Sequence, residues 1–353
     1  MFNPEFYKNK VVLVTGHTGF KGTWLVKMLS MFGAKVIGYS LPSPTNPNVF
    51  SLSKVEKSII SIIADVRDYD KMKEVFDRYQ PEIVLHLAAQ PIVRDSYKEP
   101  RYTYDVNVMG TVNLMECIRH TPSVKSVVNV TTDKVYFNDD EDDHAFKEEE
   151  PLDGFDPYSN SKSCSELVTH SYKKSFFNNM DIAVSTARAG NVIGGGDFSN
   201  DRIIPDCVRA VEKGEQIIVR NPYSTRPYQH VLEPLAIYLT IAEKQYLNHD
   251  LQGYYNVGPD DCDCVNTGKL VDLFCKYYGN GVAWINKHDG GPHEAAFLKL
   301  DSSKVKRVFG YKPRWHIDEA IQKVVEWTNV YFKNKEDVPL EMEKEIREFL
   351  YEK

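Results

Sequence analysis

No apolar run in this 353-residue chain approaches the roughly 20 residues that a membrane-spanning helix requires, so no membrane partner is expected. The opening Met1-Phe2-Asn3-Pro4-Glu5 lacks the charged-then-apolar pattern of a secretory signal, and a cytoplasmic address follows as the expectation. Basic tails and stripes are missing too. The net charge of −7 is mixed along the chain and leaves no footprint for a nucleic-acid backbone, so no nucleic-acid partner is expected. Cysteine is sparse: six residues in so long a chain fit reduced thiols better than a disulfide framework. Cys262-Asp-Cys264 is a tight pair, but no second closely spaced Cys/His pair completes a tetrahedral set. His288 and His293 lie well downstream, and no metal is expected. The acidic residues Asp139 to Asp143 and Glu148 to Glu150 lack the alternating oxygen spacing and central glycine of a calcium loop, and read as a solvated loop.

With 42% hydrophobic residues the chain can bury a large core, and its length favours two lobes. The apolar run Val11-Val12-Leu13-Val14-Thr15 breaks into Gly16, Gly19 and Gly22 and continues into a helix-like stretch from Thr23 to Met31. A strand that ends in glycines ahead of a helix turns backbone N–H groups and the helix N-terminus toward a pyrophosphate, so the segment reads as a dinucleotide site. Strand-like and helix-like runs then alternate at 11–15, 23–32, 35–39, 82–87, 105–119, 126–131, 157–176 and 182–186. That alternation predicts an α/β, Rossmann-like, doubly wound parallel sheet over residues 1–187. Beyond it, shorter elements and many turn formers predict a smaller C-terminal substrate-binding lobe over 188–353. The helix-like stretch near 234–246 is free to pack back on the first lobe.

Tyr158-Ser-Asn-Ser-Lys162 sets a phenol and an ammonium four residues apart, on one face of a helix. A cation so placed is expected to stabilise tyrosinate, and the tyrosine could then take a proton from a sugar hydroxyl. Thr132 and Asp133 close the strand candidate at 126–131, where strand ends of a doubly wound sheet meet ligands. A carboxyl there can act as an acid.

These features together resemble the extended short-chain dehydrogenase/reductase family, and within it the nucleotide-sugar 4,6-dehydratases. The resemblance runs through both lobes: Thr15-Gly-His-Thr-Gly-Phe-Lys-Gly22, His86-Leu-Ala-Ala-Gln-Pro91, Thr131-Thr-Asp-Lys134, Asp156-Pro-Tyr-Ser159, Arg188-Ala-Gly-Asn-Val-Ile-Gly-Gly-Gly-Asp197, Arg226-Pro-Tyr-Gln-His-Val-Leu-Glu-Pro234 and Gly291-Pro-His-Glu-Ala295. It implies a bound NAD, with Gly16, Thr18, Gly19, Phe20 and Gly22 around the pyrophosphate, Asp65 and Val66 by the adenine, and Leu87, Ala88 and Ala89 along the dinucleotide. Tyr158 and Lys162 complete the nicotinamide end. Ser40 stands where a Rossmann strand usually offers an acid to the ribose, so NAD over NADP is implied by the family alone.

The resemblance also implies a catalytic sequence. Tyr158 removes the proton of the sugar 4-hydroxyl as hydride leaves carbon 4, with Thr132 orienting that hydroxyl. Water then departs across carbons 5 and 6 with Asp133 as the acid, and the hydride returns to carbon 6. Asp133 must be neutral for this, which needs burial or a nearby negative charge. Many members carry glutamate after the aspartate as the base for carbon 5, and this chain carries Lys134. A neutral Lys134 could be that base, whereas a charged one would hold Asp133 ionised. For the nucleotide sugar the resemblance points to Gln90, Asn191, Arg202, Arg226 and His293, the arginines matching a diphosphate's charge. It further implies a homodimer, with a tetramer left open, and a role in deoxysugar synthesis for surface polysaccharide.

Two rivals have distinct signatures. A nucleotide-sugar epimerase of the same fold keeps Tyr and Lys but needs no acid at Asp133. A non-catalytic dinucleotide sensor would be marked by loss of Tyr158 or Lys162, and both are present.

Overall fold

The computed structural model describes residues 1–139, 144–287 and 298–351. Its centre is a parallel seven-stranded sheet: β1 (Val11–Thr15), β2 (Lys35–Ser40), β3 (Ile60–Ile63), β4 (Ile83–His86), β5 (Ser126–Thr132), β6 (Ala183–Ala189) and β7 (Tyr254–Val257), in the order β7-β6-β5-β4-β1-β2-β3. The sequence direction reverses between β1 and β4, and in such sheets the crevice outside the strand ends at that reversal receives ligands. Thr15 pairs with Tyr39 on one side and His86 on the other, and Thr132 pairs with Ala189, so the strand ends line one edge. β4, β5 and β6 are buried throughout, as expected of near-continuous apolar strands covered on both faces.

Helices α1 (Phe20–Met31), α2 (Tyr69–Tyr79), α3 (Gly110–Arg119) and α4 (Pro157–Ser175) cover the sheet, followed by α5 (Ile203–Lys213), α6 (Leu232–Leu247), α7 (Thr267–Tyr278), α8 (Ile317–Lys333) and α9 (Val338–Tyr351). One face packs Trp24, Leu25, Leu235, Leu239 and Phe349 against Val12, Val14 and Leu85; the other packs Phe76, Leu114 and Met115 against Leu13, Ile37 and Val84. Each such fully buried side chain contributes about 1.5–3 kcal/mol. Residues of α5, α7 and α8, among them Cys207, Phe274, Ile321 and Val324, form a separate core.

The sheet does not end near residue 187. The edge strand β7 arrives from beyond the substrate-lobe elements, α6 packs on β5 and β6, and α9 returns Met342, Ile346 and Phe349 to the first core. Gln245 on α6 donates to the Ser126 hydroxyl at 2.8 Å and to the Val127 carbonyl at 2.9 Å, fixing this return. β3 is a further strand that the sequence reading did not single out. Among the described residues, no helix is long and apolar enough to cross a membrane. The acidic stretch 140–143 lies outside the described residues.

Candidate active site

The glycines of the first loop do different work. Gly16 adopts φ +76°, and a Cβ there would lie 2.8 Å from the Ala88 nitrogen; one at Gly22 would lie 2.0 Å from the Gly16 carbonyl oxygen. Chain packing demands both. Gly19 has φ −78°, caps α1 without a side-chain bond, and its Cβ would meet only the Gly16 oxygen at 3.4 Å. Its missing side chain therefore leaves room over the first turn of α1, whose N–H groups have no intrahelical partners. Tight turn, ligand approach and helix packing are the three roles a dinucleotide loop assigns to its glycines, and the chain fits them.

Around this cradle Thr18 bonds Ser40 at 2.9 Å and the Leu41 carbonyl at 2.7 Å, which ties the loop to the end of β2. Leu87, Ala88 and Ala89 leave β4 partly exposed, with the Leu87 and Ala88 amides on the Thr15 hydroxyl at 3.2 and 3.1 Å. Val66 is buried against Gly110. Asp65 is committed to Arg67, whose guanidinium holds the carboxyl below its ordinary range.

Asp156 caps α4 through the Ser159 amide (3.0 Å) and hydroxyl (2.6 Å), with Pro157 opening the helix, so Tyr158 enters the site on the first turn. Lys162 is buried and donates to the Val130 carbonyl at 3.1 Å. In the cofactor-free protein burial governs both groups. Burial pushes Tyr158 up to about 12, only partly opposed by the Thr132 hydroxyl and Arg202, and burial with repulsion from Lys21 pulls Lys162 down to about 7. Desolvation drives each group toward its neutral form, and this outweighs their shared helix face.

Asp133 opens the turn after β5. Thr132 donates to its Oδ1 at 2.9 Å, whereas its buried Oδ2 has no hydrogen-bond partner among the described residues. Burial raises its pKa against the opposing charges of Lys134 and Arg226. Lys134 itself is only partly buried. A Cβ at Gly190 would stand 3.2 Å from Oδ2, so the segment that carries Asn191 passes directly over the acid.

Arg226 is buried on a short strand, Thr225–Pro227, paired with Cys264–Asn266. Arg202 reaches Asp197 at 3.4 Å. Gln90 does not offer its amide to a ligand: Oε1 accepts from the Ile92 amide at 2.6 Å, and Nε2 donates to Thr103 and the Ile92 carbonyl. Its own amide is held by Asn107 on a π-turn, Asp105–Met109, and Asn107 also grips Ser161 of α4. Gln90 is thus a brace beneath the site. His293 lies outside the described residues.

The structure adds residues that sequence reasoning missed. Lys21, on the first turn of α1, feels Asp133, Asp197, Arg202 and Lys162, and burial lowers it to about 8. Its signal was available, because a cation at a helix N-terminus opposes the helix dipole unless an anion is near. Tyr238 of α6 brings a buried hydroxyl without a hydrogen-bond partner among the described residues into the field of Tyr158 and Asp133. Behind α4, Glu166 accepts from Thr131 at 2.5 Å, Thr186 at 2.8 Å and Arg188 at 2.9 Å, locking the helix to β5 and β6.

A family model described as GDP-mannose 4,6 dehydratase matches residues 13–324. A CDP-glucose 4,6-dehydratase of Salmonella typhimurium is 42% identical, covering 99% of each chain, and a probable dTDP-glucose 4,6-dehydratase of Sinorhizobium fredii is 27% identical over 90% of this chain and 92% of its own. Among solved structures, a dTDP-glucose 4,6-dehydratase from Bacillus anthracis in complex with NAD is similar with a TM-score of 0.74 at 22% identity, covering 93% of this chain and 98% of that one. An epimerase from Methanothermobacter thermautotrophicus reaches 0.81 at 19% identity, covering 93% and 95%.

Proposed function

This chain belongs to the GDP-mannose 4,6 dehydratase family, and on that premise we propose that it is a hydro-lyase converting CDP-glucose to the 4-keto-6-deoxy sugar nucleotide with NAD bound throughout. The choice of CDP-glucose rests on the full-length identity to the Salmonella protein of that activity. Asp133 carries the dehydration. Burial favours the protonated form of this carboxyl, and its unpartnered oxygen is free to deliver a proton to a departing hydroxyl. An epimerase has no use for such a group.

NAD, when bound, supplies a reversible two-electron acceptor, so the sugar is oxidised and reduced in turn with no net redox change. Gly16, Thr18, Gly19, Phe20 and Gly22 would hold its pyrophosphate, Ser40 the adenosine ribose, Val66 and Asp65 the adenine side, and Leu87 to Ala89 its length. Thr132 would orient the sugar 4-hydroxyl and Lys162 would steady the nicotinamide end; Tyr158 would take the 4-hydroxyl proton as tyrosinate, a form that burial disfavours in the cofactor-free protein and that the positive charge of bound NAD would favour. Lys134, beside Asp133, would be the base for the carbon 5 proton when its amine is neutral. Arg226 and Arg202 answer the sugar diphosphate, with Asn191 over the acid. A homodimer is supported by the exposed Tyr97, Met109 and Leu167 on the helical face that includes α4. A cytoplasmic address fits the six free thiols.

The test is incubation of purified protein with CDP-, dTDP-, UDP- and GDP-glucose, followed by mass spectrometry. CDP-glucose should lose one water without added reductant. A product of unchanged mass would establish epimerisation instead, and a strict demand for added NADPH with net reduction would overturn the lyase reading.

A further inference from the structure

The fold gathers a set of metal-ligating side chains at the start of α8. Asp263 ends a short turn, Asp261–Asp263, and His316 precedes α8; the two are 53 residues apart in sequence. His316 Nδ1 lies 2.8 Å from Asp263 Oδ2, and Cys262 Sγ lies 3.9 Å from that same nitrogen. The donor atoms of Cys262, Asp263 and His316 all fall within 4.8 Å of one another. Bonds of 2.0–2.3 Å at tetrahedral angles need donor separations of roughly 3.3–3.6 Å, which the observed pair brackets.

We propose that Cys262, Asp263 and His316 bind a divalent cation of zinc type, with solvent as the fourth ligand. Thiolate, imidazole and carboxylate together select a borderline-soft ion over magnesium or calcium. The site is partly preorganised. Asp263 is buried and its Oδ1 accepts from the Ile317 amide at 2.8 Å, which fixes the carboxylate and leaves Oδ2 turned toward the imidazole. Cys262 and His316 are exposed, so an ion can enter and keep a water. The neighbouring acids are already matched, Asp260 by Lys306 at 2.5 Å and Asp261 by Lys299 at 2.9 Å, which leaves Asp263 as the carboxylate directed at the ion. A helix cap and a His–Asp pair explain Asp263 and His316 but not the thiol turned to the same nitrogen. Binding would displace the thiol proton and, where His316 is protonated, the imidazolium proton. The sequence hid this set because Cys262-Asp-Cys264 offers the wrong second thiol: Cys264 Sγ turns to the Asp260 carbonyl at 4.0 Å.

The full-length protein, reduced and stripped with chelator, is titrated with Co²⁺ and then Zn²⁺. One cobalt per chain should bind with a near-ultraviolet thiolate charge-transfer band, and zinc should displace it. Cys262→Ser should abolish the band, Cys264→Ser should leave it, and His316→Ala should weaken binding on the order of tenfold or more. Zinc should raise the melting temperature of the parent and not of Cys262→Ser, whose metal-free melting serves as the folding control. A missing band, or one that survives Cys262→Ser, overturns the assignment.

Discussion

The loop glycines give a prediction in which folding and cofactor binding separate. At Gly19 the backbone already sits at φ −78°, and an added methyl would meet only the Gly16 oxygen at 3.4 Å. Losing a glycine cap for alanine costs about 0.5–1 kcal/mol, and the stiffer unfolded chain returns about 0.4–1 kcal/mol. Gly19→Ala should therefore melt within a few degrees of the parent when free of cofactor. The same methyl occupies the space over the first turn of α1, where a pyrophosphate oxygen would approach the backbone amides. Displacing it forfeits on the order of two charge-assisted hydrogen bonds at about 1.5–3 kcal/mol each. NAD affinity should fall by roughly two to four orders of magnitude. Gly22→Ala, with a Cβ 2.0 Å from the Gly16 oxygen, is the contrasting case and should fail to fold. Calorimetric titration with NAD and thermal melting of both variants provide the readout. If Gly19→Ala binds NAD within threefold of the parent, or melts as poorly as Gly22→Ala, the division of labour among these glycines is wrong.

Asp133→Asn keeps the Thr132 bond but cannot donate a carboxylic proton, so turnover of the nucleotide sugar should drop by about 10²–10⁴ with unchanged melting; near-parent turnover would remove Asp133 as the acid. Glu345 of α9 is fully buried, 3.7 Å from His230, with neither carboxyl oxygen hydrogen-bonded among the described residues, and burial raises its pKa well above the ordinary value. The folded state then holds a proton that the unfolded chain releases, so stability falls by roughly 1.4 kcal/mol per pH unit between the ordinary and the elevated pKa. Glu345→Met should raise the melting temperature by an increment that grows from pH 5 to pH 8, and an increment that shrinks would contradict a buried neutral acid.

The glycine loop, the Asp156-Pro157 start of α4 and the apolar strands were legible because each is a local signal read within about a dozen residues. What escaped depends on contacts between distant segments. β7 is four residues, Tyr-Tyr-Asn-Val, with no periodicity to mark it, and only pairing with β6 makes it a strand. Gln90 carried a family position, yet its amide is consumed by Ile92 and Thr103. Tyr238 and the Cys262–His316 approach are tertiary facts. The four-residue spacing of Tyr158 and Lys162 sets them on one helix face, but a face is not a contact. The lysine chain is long enough to carry Nζ to the Val130 carbonyl, and burial then sets both pKa values.

The burial of Lys162 has a thermodynamic consequence. Lys162 sits at about 7 in the fold against about 10.5 in an unfolded chain, so between those values the unfolded state binds more protons and stability rises with pH. At pH 7 the lysine then costs the cofactor-free protein on the order of 5 kcal/mol. Lys162→Met removes that cost and strands the Val130 carbonyl, which takes back about 1–3 kcal/mol. The variant should be more stable than the parent at pH 7, by a margin that narrows toward pH 10, while losing the amine that would steady the nicotinamide end. Denaturant unfolding across that range decides it. A variant less stable than the parent at pH 7, with intact secondary structure, would mean that the lysine is solvated in the fold and that its depressed pKa is not a property of this site.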